Sequence, residues 1–139
     1  MAKPVIHIYT DGAARGNPGP GGFGIVLKAG PHRKEYAEGY RHTTNNRMEL
    51  KAVITGLEML KTRNVPVVIY SDSKYVVDAI DKGWVFDWAK KRFKGKKNPD
   101  LWLAFLKLYS QFQIKMVWVK GHADNPENNR CDELAVAAS

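Results

Sequence analysis

The stretch Tyr70-Ser71-Asp72-Ser73-Lys74-Tyr75 marks a change from an extended to a helical pattern. The run before it, residues 65–70, is short, uncharged and rich in β-branched residues, which is typical of a buried strand. A helical pattern begins at Lys74, so Asp72 is predicted at the carboxyl end of a strand, where α/β sheets bind ligands. Asp72 or Ser73 can also be no more than the N-cap of the next helix, and this interpretation stays open here.

A second strand ends in the same way. Residues 5–10 form an apolar, β-branched run that is followed by Asp11-Gly12. Two buried strands that each deliver an aspartate at the carboxyl end predict a candidate metal site. The turn-dense segment 12–22 is either a hairpin connection or a place where bare backbone approaches a ligand. It lacks the Gly-Lys-Ser/Thr ending of a phosphate-binding P-loop.

The remaining pattern predicts an α/β fold with five strands, of which the first three are antiparallel neighbours. Strands at 23–28 and 33–40 follow the first in a meander. A helix that Thr44 or Asn46 can cap then crosses to strand four, which makes that strand parallel to strand one. Glu49 falls in the predicted first turn of this helix, where the helix dipole alone could favour it. Further helices begin near residues 73 and 101, a fifth strand covers 114–119, and a short terminal helix follows a loop at 120–129.

Composition predicts one soluble domain, residues 1–139, with a polyanionic partner. The formal net charge is +8, which favours nucleic acid over other partners. Six of the eight residues 90–97 are Lys or Arg, and Trp84 and Trp88 precede them. We interpret residues 84–97 as a basic protrusion that follows a phosphate backbone, against the alternative of a solvated charge run. The lone Cys131 fits core packing, and the absence of a signal peptide or an apolar membrane span in the sequence favours the cytoplasm.

Four acids stand near the ends of predicted elements: Asp11, Glu49, Asp72 and Asp132. Neighbouring carboxylates repel unless a proton or cation intervenes, and an all-oxygen ligand set suits Mg²⁺ or Mn²⁺. Two such ions can stabilise the attacking and leaving oxygens of phosphodiester cleavage. His122 can shuttle a proton at neutral pH, or it can be an ordinary loop histidine.

Several blocks together resemble type 1 ribonuclease H of the bacterial kind. They are Tyr9-Thr10-Asp11-Gly12, Gly16-Asn17-Pro18-Gly19-Pro20-Gly21-Gly22, Thr43-Thr44-Asn45-Asn46-Arg47-Met48-Glu49-Leu50, Ser71-Asp72-Ser73, Trp118-Val119-Lys120-Gly121-His122 and Asn129-Arg130-Cys131-Asp132-Glu133-Leu134-Ala135. Each block alone is weak evidence for the family. Together the blocks cover nearly the whole chain in the right order, which makes the resemblance highly specific.

The resemblance implies a ribonuclease H-like α/β fold, with a five-stranded mixed sheet of three antiparallel strands and then two parallel ones, flanked by helices. It also implies a metal-dependent endonuclease that cuts the RNA strand of RNA–DNA hybrids and leaves 5′-phosphate and 3′-hydroxyl ends. It implies two Mg²⁺ ions, with Mn²⁺ as a substitute, held by the four acids, and an assisting role for His122. It further implies substrate contacts, and in all we predict that the hybrid is bound by Gly12, Asn17, Thr44, Asn45, Asn46, Lys74, Trp84, Trp88, Lys90, Lys91 and Arg92. We expect a monomer that binds no membrane.

The chain departs from the family pattern at three positions. Lys74 stands where many relatives carry Gln, which would make that minor-groove contact ionic. His42 and Asp87 occupy places where Arg and Asn are expected near a phosphate, and an anion there would repel the substrate. Two alternatives remain: a non-catalytic hybrid-binding module, and a relative from the integrase or transposase side of the superfamily. The complete set of acids argues against the first, and the Thr44–Glu49 block argues against the second.

Overall fold

The computed structural model describes residues 5–120 and 125–139. The strands are β1 (Ile6–Ala14), β2 (Gly19–Ala29), β3 (His32–Thr43), β4 (Pro66–Ser71) and β5 (Gln113–Trp118). The helices are α1 (Asn45–Glu58), α2 (Lys74–Asp81), α3 (Trp84–Lys90), α4 (Pro99–Tyr109) and α5 (Pro126–Ala138). Elements and their order agree with the predicted fold class.

The five strands form one mixed sheet in the order β3-β2-β1-β4-β5. β1, β2 and β3 pair antiparallel, whereas β4 pairs parallel with β1 and with β5. The β1–β4 ladder ends at Tyr9 opposite Tyr70, so Asp11 and Asp72 follow it at the same level. The parallel pairing predicted from the intervening helix is confirmed, and it brings the two aspartates together.

The two faces of the sheet are covered by different helices. On one face α1 lies against β1, and a Cβ at Gly56 of α1 would come within 2.8 Å of Ile8. The buried core on this side continues into α2 and α4, with Trp102 and Phe105 fully enclosed. On the other face α5 covers β1, β2 and β3. Cys131 is buried on α5, as core packing predicts.

The glycine-rich segment forms strand rather than an extended loop, which corrects the predicted strand ends. β1 runs on to Ala14 and β2 begins at Gly19, so Gly21, Gly22 and Gly24 are paired residues of a hairpin. Asp11 therefore lies within β1 rather than at its end. The pattern misled because glycine is a breaker in most strands, while here helix α5 packs directly on glycines that have no side chain to hold it away.

The terminal helix also begins earlier than expected, at Pro126, because Asn125 caps it by accepting from the Asn128 N–H at 3.2 Å. Within residues 5–120 and 125–139, no helix is both long and apolar enough to span a membrane.

Candidate active site

Three of the four predicted acids meet at the end of the β1–β4 ladder. Asp11, Glu49 and Asp72 each offer a carboxylate oxygen, and these oxygens lie within 4.8 Å of one another. Asp11 and Glu49 are 8% and 6% exposed, whereas Asp72 is partly exposed. Asp132 is not a member of this tight group, but its side chain neighbours Asp11 and raises the pKa of that carboxyl.

Gly12 explains how Glu49 reaches the group. A Cβ at residue 12 would lie 2.5 Å from both the Glu49 backbone nitrogen and the Met48 carbonyl carbon. Only glycine lets α1 approach β1 so closely. The Gly12 N–H then donates to the Glu49 carboxylate and to Asp11 Oδ1. Glu49 lies in the second turn of α1, so the interpretation as a first-turn carboxylate favoured by the helix dipole is wrong.

Electrostatics in the group favour a bound proton or cation. Burial, followed by smaller contributions that include the Asp72 charge, raises the pKa of Asp11 from 3.8 to about 7. Burial and the Asp11 charge raise the pKa of Glu49 well above its usual value. Adjacent buried carboxylates cannot all ionise without compensation. A cation at this place would offset the repulsion between them and the free energy lost by burying their charges.

The second carboxylate oxygen of Glu49 also favours a cation at this site. Its Oε2 is buried and has no hydrogen-bond partner among the described residues. A buried carboxylate oxygen without a partner costs free energy. Oxygen ligands from three carboxylates suit a hard divalent cation such as Mg²⁺ or Mn²⁺, so the residues present fit the predicted metal.

Helix α5 brings Asp132 near Asp11 by lying directly on glycines. A Cβ at Gly24, the β2 partner of Asp11, would collide with the Cys131 carbonyl oxygen. Asn128 Nδ2 donates to the Thr10 carbonyl at 3.2 Å, and the Cys131 thiol lies 3.1 Å from the Tyr9 carbonyl oxygen. The backbone of β1 just before Asp11 is thus bonded to the helix that carries Asp132.

The predicted asparagines join the β1–β2 connection to the start of α1. Ala14 N–H donates to Asn45 Oδ1 at 2.6 Å, and Asn45 N–H donates to Asn17 Oδ1 at 2.9 Å. Each side chain uses its oxygen inside the protein, so Nδ2 is the group left for a ligand. Thr44 caps α1, as predicted, by accepting from Arg47 N–H at 3.2 Å.

Two adjoining grooves lie beside the start of α1. The first, which we call the amide groove, has a volume of about 220 Å³ and is lined by Asn17, Pro18, Thr44, Asn46, Lys97 and Asn98. The second, the aromatic groove, has a volume of about 310 Å³, and its lining includes Asn46, Tyr75, Trp84, Trp88, Lys96 and Lys97. Asn46 and Lys97 line both grooves, so the two grooves are direct neighbours.

Lys90, Lys91 and Arg92 are exposed but do not line these grooves. Lys96 and Lys97, which sequence reasoning did not single out among the lysines of the basic segment, do. Lys96 Nζ lies 5.2 Å from the centroid of Trp88. The run 90–97 gave no sign of which lysines face the aromatic residues, because the turns after α3, with Arg92 and Phe93 at positive φ, decide it.

Lys74, Asp87 and His122 were also predicted to affect substrate binding or the reaction. Lys74 is exposed, and its Nζ lies 4.8 Å from the centroid of Trp118. Asp87 is exposed in the first turn of α3. His122 lies outside the described residues. Trp118 and Asn128 were missed as site-supporting residues, because nothing in the local sequence pairs them with β4 or β1.

Proteins of known structure share this fold. The crystal structure of LC9-RNase H1, a type 1 RNase H with the type 2 active-site motif, matches 99% of this chain and 73% of its own, with a TM-score of 0.87 and 30% identity. That of LC11-RNase H1 in complex with RNA/DNA hybrid matches 96% and 95%, with a TM-score of 0.72 and 29% identity. The fold is therefore that of the ribonuclease H class, as the resemblance predicted.

Sequence comparisons are more specific. A family model described as RNase H matches residues 3–139. The ribonuclease H of Desulforamulus reducens is 56% identical over 139 residues, which cover 96% of this chain and 87% of that protein. The chain belongs to the ribonuclease H family of metal-dependent endonucleases.

Proposed function

We propose that this chain hydrolyses the RNA strand of RNA–DNA hybrids at internal positions and leaves 5′-phosphate and 3′-hydroxyl ends. The observation that carries the proposal is the group Asp11, Glu49 and Asp72, with the unpartnered buried oxygen of Glu49. The hybrid bound in the LC11-RNase H1 crystal structure supports the substrate. We further propose that residues 1–139 act as one domain. A monomeric state and a cytoplasmic location stay predictions.

Asp11, Glu49 and Asp72 would hold divalent cations, with Asp132 as the fourth ligand. We propose Mg²⁺, two ions per site when substrate is bound, with Mn²⁺ as a substitute. When bound, such ions activate water and neutralise the charge that develops on the phosphate. The protein positions the ligands, because the Gly12 N–H donates to the carboxylates of both Asp11 and Glu49 and restricts their orientation.

The amide groove is suited to the minor groove of the hybrid. Asn17 and Asn45 each have an amide nitrogen left to donate, and Asn46 is exposed at the junction of both grooves. A 2′-hydroxyl both donates and accepts, so amide groups can distinguish the RNA strand from DNA. Gly12 and Thr44 lie at the same end of β1 and α1, and we propose that they contact the backbone.

The aromatic groove combines apolar surface with positive charge, which suits binding of the DNA strand. Trp84 and Trp88 offer apolar ring surface, and Lys96 and Lys97 offer positive charge beside it. Charged groups neutralise phosphates, and aromatic faces pack against sugars and bases. Lys90, Lys91 and Arg92 stay predicted contacts that would act beyond the groove itself. Lys74 stays a predicted minor-groove contact, although its ammonium lies over Trp118 in the free protein.

His122 is proposed to move a proton to or from the reacting oxygens. A positioned acid–base group typically contributes about 10²- to 10⁴-fold to a rate. We expect His122→Ala to give a slower enzyme that still cleaves, with most of the loss in kcat. Steady-state kinetics on a labelled hybrid measures this, and complete inactivity would contradict the assisting role.

The central test is cleavage of a 5′-labelled RNA–DNA hybrid with Mg²⁺ and with EDTA. We expect metal-dependent cutting of the RNA strand, and we expect Asp11→Asn to abolish it while hybrid binding persists. Near wild-type activity in Asp11→Asn would place the site elsewhere. Binding without metal-dependent cleavage by the unaltered chain would favour a non-catalytic hybrid-binding module instead.

A further inference from the structure

Trp118, the last residue of β5, makes two contacts beside the acidic group. Its indole N–H donates to the backbone carbonyl of Asp72 at 3.2 Å. Its ring lies under the ammonium of Lys74, whose Nζ is 4.8 Å from the ring centroid. Trp118 is 44% exposed, so its place is not explained by core packing.

The Asp72 carbonyl lies just outside the hydrogen bonding of helix α2. That pattern starts with Ser73, whose carbonyl accepts from the Val77 N–H at 3.0 Å and whose hydroxyl accepts from the Val76 N–H at 3.2 Å. A carbonyl before the first helical bond has no partner within the helix, so it accepts from another segment or from water. The indole of Trp118 donates to it, and so joins the peptide that follows Asp72 to β5.

Of the three acids in the group, Asp72 depends most on such a bond for its position. Asp11 and Glu49 are buried and share the Gly12 N–H, so packing and hydrogen bonds fix both. Asp72 is only partly buried, and its direction depends on the β4–α2 turn. We propose that Trp118 is a positioning residue for Asp72, which holds that carboxylate against Asp11 and Glu49; this rests on the proposed metal site.

Lys74 belongs to the same unit. A cation over the face of an indole is attracted by the ring, and the attraction favours the ring orientation that the ammonium covers. In that orientation the N–H of Trp118 meets the Asp72 carbonyl. Lys74 follows Asp72 by two residues, so the turn that carries the carboxylate contacts the indole twice. The Asp72 carbonyl accepts from the indole N–H, and the Lys74 ammonium covers the face of the ring.

The test is isothermal titration of the hybrid-free protein with Mg²⁺. Trp118→Phe keeps a ring under Lys74 but removes the N–H donor. Because one hydrogen bond is worth about 0.5–1.5 kcal/mol, we expect Mg²⁺ affinity to fall about two- to tenfold. Tyr36→Phe is the control: Tyr36 is 39% exposed, and the substitution removes its hydroxyl, which donates to Glu38 at 3.1 Å, but Tyr36 lies on β3, at the edge of the sheet opposite β5. We expect its Mg²⁺ affinity to be unchanged.

Asp72→Asn separates the two proposals. If Asp72→Asn leaves Mg²⁺ affinity unchanged, the metal site itself is wrong. If Asp72→Asn weakens binding while Trp118→Phe behaves as Tyr36→Phe does, the positioning role of Trp118 is overturned. A second readout is cleavage at rising Mg²⁺: the kcat of Trp118→Phe should recover at high Mg²⁺, whereas a loss caused by general destabilisation would not.

Discussion

The amide N–H of Gly12 donates to the carboxylate of Glu49, which lies 37 residues further along the chain. This bond joins the strand that carries one acid of the site to the helix that carries another. It exists because residue 12 has no side chain, and α1 lies where a Cβ would be.

Gly12→Ala should therefore damage the site and the fold together. The added methyl group would meet backbone atoms of Met48 and Glu49, which cannot rotate away, so α1 must shift. Overpacking typically costs about 1–3 kcal/mol, and we expect a loss at the upper end of that range in urea-induced unfolding. The displaced Glu49 should also weaken Mg²⁺ binding.

Gly30→Asn is the matched control for that substitution. Gly30 has φ +59°, and a Cβ there meets nothing within 4 Å. Asparagine tolerates this left-handed conformation better than most residues. We expect a small change in stability, and an equal loss in both variants would show that the close approach of α1 is not what Gly12 provides.

The stability of the metal-free protein should fall as the pH rises from about 4 to about 7. The pKa of Asp11 is raised from 3.8 to about 7, chiefly by burial, and that of Glu49 is raised as well. A carboxyl with a higher pKa in the folded state holds its proton more tightly there, so stability is lost as the pH passes from the unfolded to the folded pKa. At about 1.36 kcal/mol per pKa unit, the Asp11 share is at most about 4 kcal/mol.

Asp11→Asn should flatten this decline and stabilise the metal-free protein at pH 7.5. Urea unfolding in EDTA at a series of pH values measures it. Asp100→Asn is the contrasting variant, because Arg47 lowers the pKa of Asp100 and its loss should destabilise the protein at neutral pH. If Asp11→Asn proved less stable than the parent at pH 7.5, the repulsion described for this site would be contradicted.

Neutralising Lys96 and Lys97 should weaken hybrid binding and reduce its salt dependence. Both line the aromatic groove, and each phosphate contact that is lost should lower the slope of log K against log salt by roughly 0.7–0.9. Fluorescence anisotropy of a labelled hybrid in EDTA measures affinity without cleavage. The control is Lys107→Gln with Lys115→Gln, which removes the same charge from exposed positions outside both grooves. Equal slopes in the two double variants would show that the groove does not contact phosphates.

The sequence predicted what depends on local pattern and chain order. The strand before Asp72, the helix after it and the parallel pairing of β4 with β1 all follow from residue periodicity and from an intervening helix. The meeting of Asp11 with Asp72 follows from that pairing, because both residues come directly after the ladder. The predicted grouping of Asp11, Glu49 and Asp72 is confirmed, whereas Asp132 lies beside Asp11 and outside the tight group.

What could not be predicted depends on contacts between distant segments. Glycine normally interrupts a strand, so the first two strands were predicted to be shorter than they are. Only the position of α5 shows why Gly22 and Gly24 belong in the sheet. The bond from Trp118 to Asp72 joins residues 46 apart and has no local signal. Which lysines of the basic segment line a groove depends on turn geometry after α3.

The three glycines beneath α5, Gly22, Gly24 and Gly39, bear on how substitutions in this chain should be interpreted. Side chains there would collide with backbone atoms of Cys131, Ala135 and Ala138, so no repacking can absorb them. A saturation library scored for survival would then reject nearly every replacement at these sites, as severely as at the acids. A rejected substitution in such a library would therefore indicate either a lost contact between α5 and the sheet or a lost catalytic group. Only a direct assay of folded variants would distinguish the two causes.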